Sequence, residues 1–83
     1  MDKDKKEVSV HIDKKDYKSP TPTTGAALYV LGNIDPNNYD LYEEVHGHGD
    51  DIHIDNDNKK VELKNGAHFY SVQKHINPGN KYE

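Results

Sequence analysis

Six histidines, fifteen carboxylates and no cysteine set the chemistry open to this 83-residue chain. The densest cluster is His46-Gly47-His48, followed by Asp50, Asp51 and His53. Imidazoles and carboxylates so close together are potential zinc or nickel ligands. Two glycines loosen the loop, however, and strand alternation would send the ligands to opposite faces. The cluster therefore reads as a solvated loop, and no metal is expected. Asp55-Asn56-Asp57-Asn58 opens like a calcium loop but lacks its glycine and its bidentate glutamate. It reads as a turn. Ser9, Ser19 and Ser71 lie in strand-like stretches without a nucleophile elbow. No glycine-rich phosphate loop occurs either. The chain is thus read as a non-enzyme, with no catalytic residue and no bound cofactor.

The balance of charge narrows the partners. Fifteen acidic residues against eleven lysines, with no arginine, leave a formal charge of -4. A nucleic-acid binder would show a basic stripe and bidentate arginines. Neither is present, and nucleic acid is not an expected partner. No apolar run approaches the ~20 residues that a bilayer demands, so no membrane association is expected. The N-terminus, Met1-Asp2-Lys3-Asp4-Lys5-Lys6-Glu7, has no apolar core of a signal peptide. Folding without disulfides fits the cytoplasm. The apolar fraction of 31% and the mean hydropathy of -1.13 are low for a folded chain. The apolar residues gather in short runs, though, which points to one folded domain with polar ends.

Those runs set the expected elements. Residues 1–6 read as a disordered tail and 73–83 as a flexible one, leaving 7–72 as the domain. Glu7 to Ile12 alternates, with Val8, Val10 and Ile12 on one face and Ser9 and His11 on the other. That is the signature of a half-buried strand. A polar turn over Asp13 to Asp16 leads into a short strand from Tyr17 to Ser19. The prolines of Pro20-Thr21-Pro22 cannot donate to a ladder and should end it. Thr23 or Thr24 can cap a two-turn helix from Gly25 to Leu31. Ala27, Leu28 and Leu31 are its expected buried face, and Gly32 or Asn33 its stop. Further strands are expected over Asp40 to Val45, Ile52 to Ile54 and His68 to Val72, with Val61 and Leu63 as anchors and Asn65-Gly66 as a tight turn.

A hairpin, one helix and a return to the same sheet make an α+β fold. The last strand should lie beside the first, parallel and central. The expected architecture is a ubiquitin-like β-grasp, a mixed sheet of four to five strands packed on one helix. If Val8, Val10 and Ile12 face the helix, Phe69 should join them, and alternation turns His68, Tyr70 and Val72 outward. Tyr42 on the third strand could join that open face. Such a patch suits docking, since aromatic residues favour interfaces. It reads equally as a cross-strand pair that stabilises the sheet.

Val10-His11-Ile12-Asp13, Thr24-Gly25-Ala26-Ala27-Leu28, Asp35-Pro36-Asn37-Asn38-Tyr39-Asp40-Leu41 and Val61-Glu62-Leu63-Lys64-Asn65-Gly66-Ala67-His68-Phe69 carry a likeness. Taken in order, they resemble the bacterial multiubiquitin domain family over roughly residues 8 to 79. The resemblance implies a β-grasp fold and a protein modifier. It also implies an E1-like adenylating enzyme, an E2-like conjugating enzyme, a processing peptidase and a target protein as partners. By the same likeness, the open face of Tyr42, His68, Tyr70 and Val72 would meet those enzymes.

Activation of a ubiquitin-like tail puts a terminal carboxylate into a narrow channel, where glycine allows close backbone approach. The chain ends in Glu83, and the only glycine after Val72 is Gly79. Processing between Gly79 and Asn80 is therefore expected. Gln73 to Gly79, extended, would span roughly 23–25 Å. The reading from another class is a non-covalent interaction or self-assembly module. It would pair sheet edges or faces with copies of itself or a partner.

Overall fold

The computed structural model describes residues 6–47 and 49–74. Strand β1, Lys6–Ile12, turns back into β2, Lys15–Thr21, through a hairpin that pairs Ile12 with Lys15. Only Asp13 and Lys14 make the turn, at φ 51° and 72°. Two successive left-handed residues match the right-handed twist of the flanking strands. The turn is thus shorter than the expected Asp13–Asp16, and β2 runs on through Pro20. It can do so because β2 is an edge strand, where a missing donor need not break a ladder. The Thr21–Pro22 peptide is cis.

A two-residue strand, β3, Thr23–Thr24, precedes helix α1, Gly25–Leu31. Thr24 is the N-cap, its Oγ1 accepting from the Ala27 N–H at 3.1 Å. The C-terminus closes by two reversed bonds, Asn33 N–H to Val30 O at 3.0 Å and Ile34 N–H to Tyr29 O at 2.8 Å. Asn33 takes the left-handed conformation that this closure needs, with φ 56. Gly32 serves close packing, since a Cβ there would stand 2.8 Å from Cγ2 of Ile12. Seven residues do not make a stable helix alone, so packing must hold it. The buried side chains are Leu28 and Tyr29, with Leu31 half-buried; Ala27 is exposed, contrary to expectation.

The remaining strands are β4, Tyr39–Glu43; β5, Ile52–Ile54; β6, Lys60–Val61; and β7, Ala67–Gln73. Five strands form one mixed sheet in the order β2-β1-β7-β4-β5. The last strand is central, parallel to β1 and antiparallel to β4. The architecture is therefore α+β, with a mixed five-stranded sheet and one helix. A second, two-stranded sheet of β3 and β6 was not apparent in the sequence. Thr21 extends that tie, its Oγ1 accepting from the Leu63 N–H at 2.8 Å. The inner strands β1 and β7 each run one residue past the expected domain, to Lys6 and Gln73.

Side chains finish the short parallel ladder at both ends. Asn65 Oδ1 accepts from the Ser9 N–H at 2.9 Å. At the other end, Asp13 accepts from the Ser71 N–H at 2.9 Å and from its hydroxyl at 2.6 Å. Each oxygen stands in for a carbonyl that β1 or β7 no longer supplies, so both ends of the ladder are paired. Val10, Ile12, Leu28, Tyr29, Ile34, Leu41, Ile54, Leu63 and Phe69 form the core between sheet and helix. Each large aliphatic or aromatic side chain there contributes about 1.5–3 kcal/mol. Among the described residues no helix is long and apolar enough to cross a membrane.

Candidate docking surface

With Val10, Ile12, Leu41, Ile54 and Phe69 turned to the helix, alternation exposes their neighbours on the other face. Strand register then lines these up in rows. His11 lies opposite His68 on one side and Asp16 on the other. One row along, Tyr70 lies opposite Tyr42, and Tyr42 opposite His53. The next pairs Val72 with Asp40. The four residues nominated from the sequence, Tyr42, His68, Tyr70 and Val72, thus share one face. Tyr42 and Tyr70 are half-buried, whereas His68 and Val72 are exposed, Val72 by 44%.

The rings touch along the rows. His11 and His68 stack with centroids 4.5 Å apart, and Tyr42 and Tyr70 stack at 5.6 Å, both pairs tilted by 14°. His53 meets Tyr42 edge-on at 5.2 Å, and His46 meets His68 edge-on at 6.3 Å. Carboxylates hold the outer rings. Asp16 contacts Nδ1 of His11. His53 lies between Asp40, 3.3 Å from Nε2, and Asp55, 3.0 Å from Nδ1. The tyrosine pair is therefore a cross-strand contact on the open face, with His53 against the other side of Tyr42.

Asp51 anchors the loop after β4 to this surface. Its Oδ1 accepts from the Val45 N–H at 2.9 Å, and its Oδ2 accepts from the Tyr70 hydroxyl. The Tyr70 hydrogen bond, then the Val45 one, hold the Asp51 carboxyl below its usual range. The same bond to Asp51 pushes Tyr70 up to about 12. A lowered carboxyl contributes stability above its unfolded pKa and loses it as pH falls through the folded value. A raised phenol contributes below its unfolded pKa, near 10, and loses it as pH rises towards 12. The latch's contribution to stability is therefore full from just above the usual carboxylate range to about pH 10, and it fades as pH rises towards 12. We expect an ultraviolet titration to find Tyr70 ionising late, near pH 12, as well as the buried Tyr29, and Asp51→Asn to return one of these two late ionisations towards 10.

The described residues of the histidine cluster, His46, Asp50, Asp51 and His53, do not converge on a cation. Asp51 spends both oxygens on Tyr70 and Val45, and His53 has a carboxylate at each nitrogen. A metal must lie in the plane of each ring that binds it, which the near-parallel stack of His11 on His68 denies. Among the described residues, no three histidines, aspartates or glutamates are placed to hold a metal ion. His48, Gly79 and Asn80 lie outside the described residues. His11, His53 and Asp51 are parts of the face that sequence reasoning did not assign to it. Alternation already turned His11 outward, but its meeting with His68 depends on the β1–β7 register. No protein-family model, curated protein or solved structure matches the chain. Its function must be argued from its own geometry.

Proposed function

We propose that this chain is a ubiquitin-like β-grasp protein, akin to the bacterial multiubiquitin domains, that is processed at its C-terminus and conjugated to target proteins. One observation carries the reading: the order β2-β1-β7-β4-β5, with the last strand central and parallel to the first. This is the arrangement expected of a β-grasp. The helix packs on one face and leaves the other, with Tyr42, His68, Tyr70 and Val72, for the E1-like and E2-like enzymes. A tyrosine-rich, pre-stacked surface suits such partners, because rigid aromatic rings lose little freedom on binding.

The chemistry belongs to the tail. A peptidase hydrolyses the Gly79–Asn80 bond, water supplying the new carboxylate oxygen, and releases Asn80 to Glu83. The E1-like enzyme joins the Gly79 carboxylate to the α-phosphorus of ATP and expels pyrophosphate. The acyl group then passes to a nucleophile of the E2-like enzyme, AMP leaving, and on to a nucleophile of the target, which releases the E2-like enzyme. The domain itself supplies docking and reach. Sheet-edge assembly, the other reading, is disfavoured at the β2 edge, where Lys15, Lys18 and Pro20 are exposed, and such residues blunt strand pairing.

The test is the intact mass of the protein after co-expression with its genomic neighbours. The expected result is loss of the mass of Asn80 to Glu83, followed by adducts through Gly79. An unchanged mass in the presence of active peptidase would leave a non-covalent interaction module.

A further inference from the structure

Asparagine is among the thermolabile residue types, and the residue that follows it decides how labile it is. The main-chain nitrogen of that residue can attack the asparagine's side-chain carbonyl carbon and close a five-membered ring. A side chain there hinders the approach, and glycine has none. Of the asparagines in the chain, only Asn65 is followed by glycine. Asn65 and Gly66 are both exposed, in a turn closed by the Ala67 N–H to Lys64 O at 3.0 Å. Nothing lies within 4 Å of where a Gly66 Cβ would stand. No neighbour therefore crowds the glycine nitrogen from that side.

Ser9 of β1 restrains both reacting groups. Its N–H donates to Asn65 Oδ1 at 2.9 Å, and its carbonyl accepts from the Gly66 N–H at 2.7 Å. A peptide nitrogen is a poor nucleophile until its proton is lost, because its lone pair is delocalised. The proton that must leave Gly66 is committed to Ser9 O. The Asn65 side-chain carbon must also swing over that nitrogen, and the Ser9 N–H holds its oxygen in place. Ring closure in the folded chain thus waits for the two bonds to Ser9 to open. They stand at the end of a parallel ladder with only three register pairs, Val10 with Ala67, His11 with His68 and Ile12 with Phe69. Such an exposed end opens at a lower free energy than the whole domain unfolds.

We propose that Asn65-Gly66 is a self-modification site gated by the β1–β7 ladder. When the end of the ladder opens, Gly66 N loses its proton to solvent base and bonds to Asn65 Cγ. The Cγ–Nδ2 bond breaks, the departing nitrogen takes up a proton, and ammonia leaves a succinimide. Water then opens the ring. Attack at Cγ gives aspartate, and attack at the main-chain carbonyl gives isoaspartate. Aspartate keeps an oxygen on Cγ for the Ser9 N–H, and its charge strengthens that bond. Isoaspartate instead carries the main chain through Cβ and Cγ, which lengthens the turn by a methylene, and its carboxylate leaves from Cα. The Gly66 N–H and the oxygen of residue 65 then no longer both meet Ser9. The modification thus unplugs the ladder and records an opening event in covalent form. It goes beyond the role proposed above and needs neither the tail nor any enzyme.

The test incubates the full chain beside the peptide N-acetyl-Lys-Asn-Gly-Ala-amide at neutral pH, with tandem mass spectrometry locating each exchange of amide for acid. The peptide should convert readily to both products. Asn65 of the folded chain should convert at least about tenfold more slowly, since two hydrogen bonds must first open. The retardation should match the protection of the Gly66 amide in hydrogen exchange, because the same bond gates both. In urea above the unfolding midpoint the chain should match the peptide. The isoaspartate form, separated by chromatography, should lose protection at the Ser9 and Gly66 amides and show a lower urea midpoint, whereas Asn65→Asp should keep both. Equal rates in the folded chain and the peptide would overturn the proposal, as would a retardation unrelated to Gly66 protection. An Asn65 that stays intact even in urea would overturn it too, and so would an isoaspartate form as protected and as stable as the parent. Tail processing and this modification are read at different positions, so the failure of either leaves the other standing.

Discussion

Tyr29→Phe is expected to destabilise the domain by about 2–3 kcal/mol, read as a fall in the urea midpoint without a change in slope. Tyr29 is only 3% exposed, and its hydroxyl sits between two strands. It donates to Ile54 O at 2.8 Å and accepts from the Leu41 N–H at 3.1 Å. Leu41 and Ile54 are register partners of β4 and β5. The hydroxyl thus bridges the place where a direct ladder bond would lie, and it ties the short edge strand to both helix and sheet. Removing it strands a buried donor and a buried acceptor together. Burial, the leading cause, raises the Tyr29 phenol, with the Leu41 N–H opposing. Its protonated form is therefore the one that the fold stabilises, and that contribution fades in strong alkali. A loss below about 0.5 kcal/mol would mean that β5 closes onto β4 and makes the Leu41–Ile54 bond directly.

Gly25→Ala should have an effect of similar size, about 3 kcal/mol, by steric means. A Cβ at Gly25 would lie 1.8 Å from Asp55 O and 3.1 Å from its carbonyl carbon. Both atoms are backbone, so no side chain can swing aside. The turn that holds them also supplies Asp57 O to the Ala26 N–H at 2.9 Å, and moving it would loosen the start of the helix. Gly66→Ala is the control. Gly66 has a positive φ but nothing near its missing Cβ. Only backbone strain of about 1–2 kcal/mol is expected there. Domains of this size commonly hold about 5 kcal/mol in all. Thermal melts should then show the Gly25 variant largely unfolded near physiological temperature and the Gly66 variant folded. Equal melting temperatures would mean that the turn over Asp55–Asp57 yields freely.

The two residues differ in how far the sequence announced them. Gly25 stood at the first expected helical position, and nothing near it in the chain set it apart. Only the approach of the Asp55 carbonyl makes glycine obligatory there. Tyr29 lay on a helix too short for its apolar stripe to be read with certainty, and Ala27 was assigned to the buried face in its place. An alanine gains little from burial, whereas a tyrosine gains much once its hydroxyl finds partners. Those partners are strands that lie 12 and 25 residues away along the chain. Similarly, Pro20 argued against a strand by its chemistry, and was admitted because β2 turned out to be an edge.

Local pattern alone determined that β1, α1, β4, β5 and β7 exist, which side of β1 and β7 faces the core, and that His68, Tyr70 and Val72 point away from it. These follow from alternation and capping, which operate between neighbours in the chain. Tertiary structure alone decided that His11 stacks on His68, that Asp51 holds Tyr70 and that Tyr29 bridges β4 and β5. Each depends on register between segments distant in sequence. Register is set by the total fit of core, turns and side-chain plugs such as Asp13 and Asn65, and no stretch of sequence carries that fit by itself.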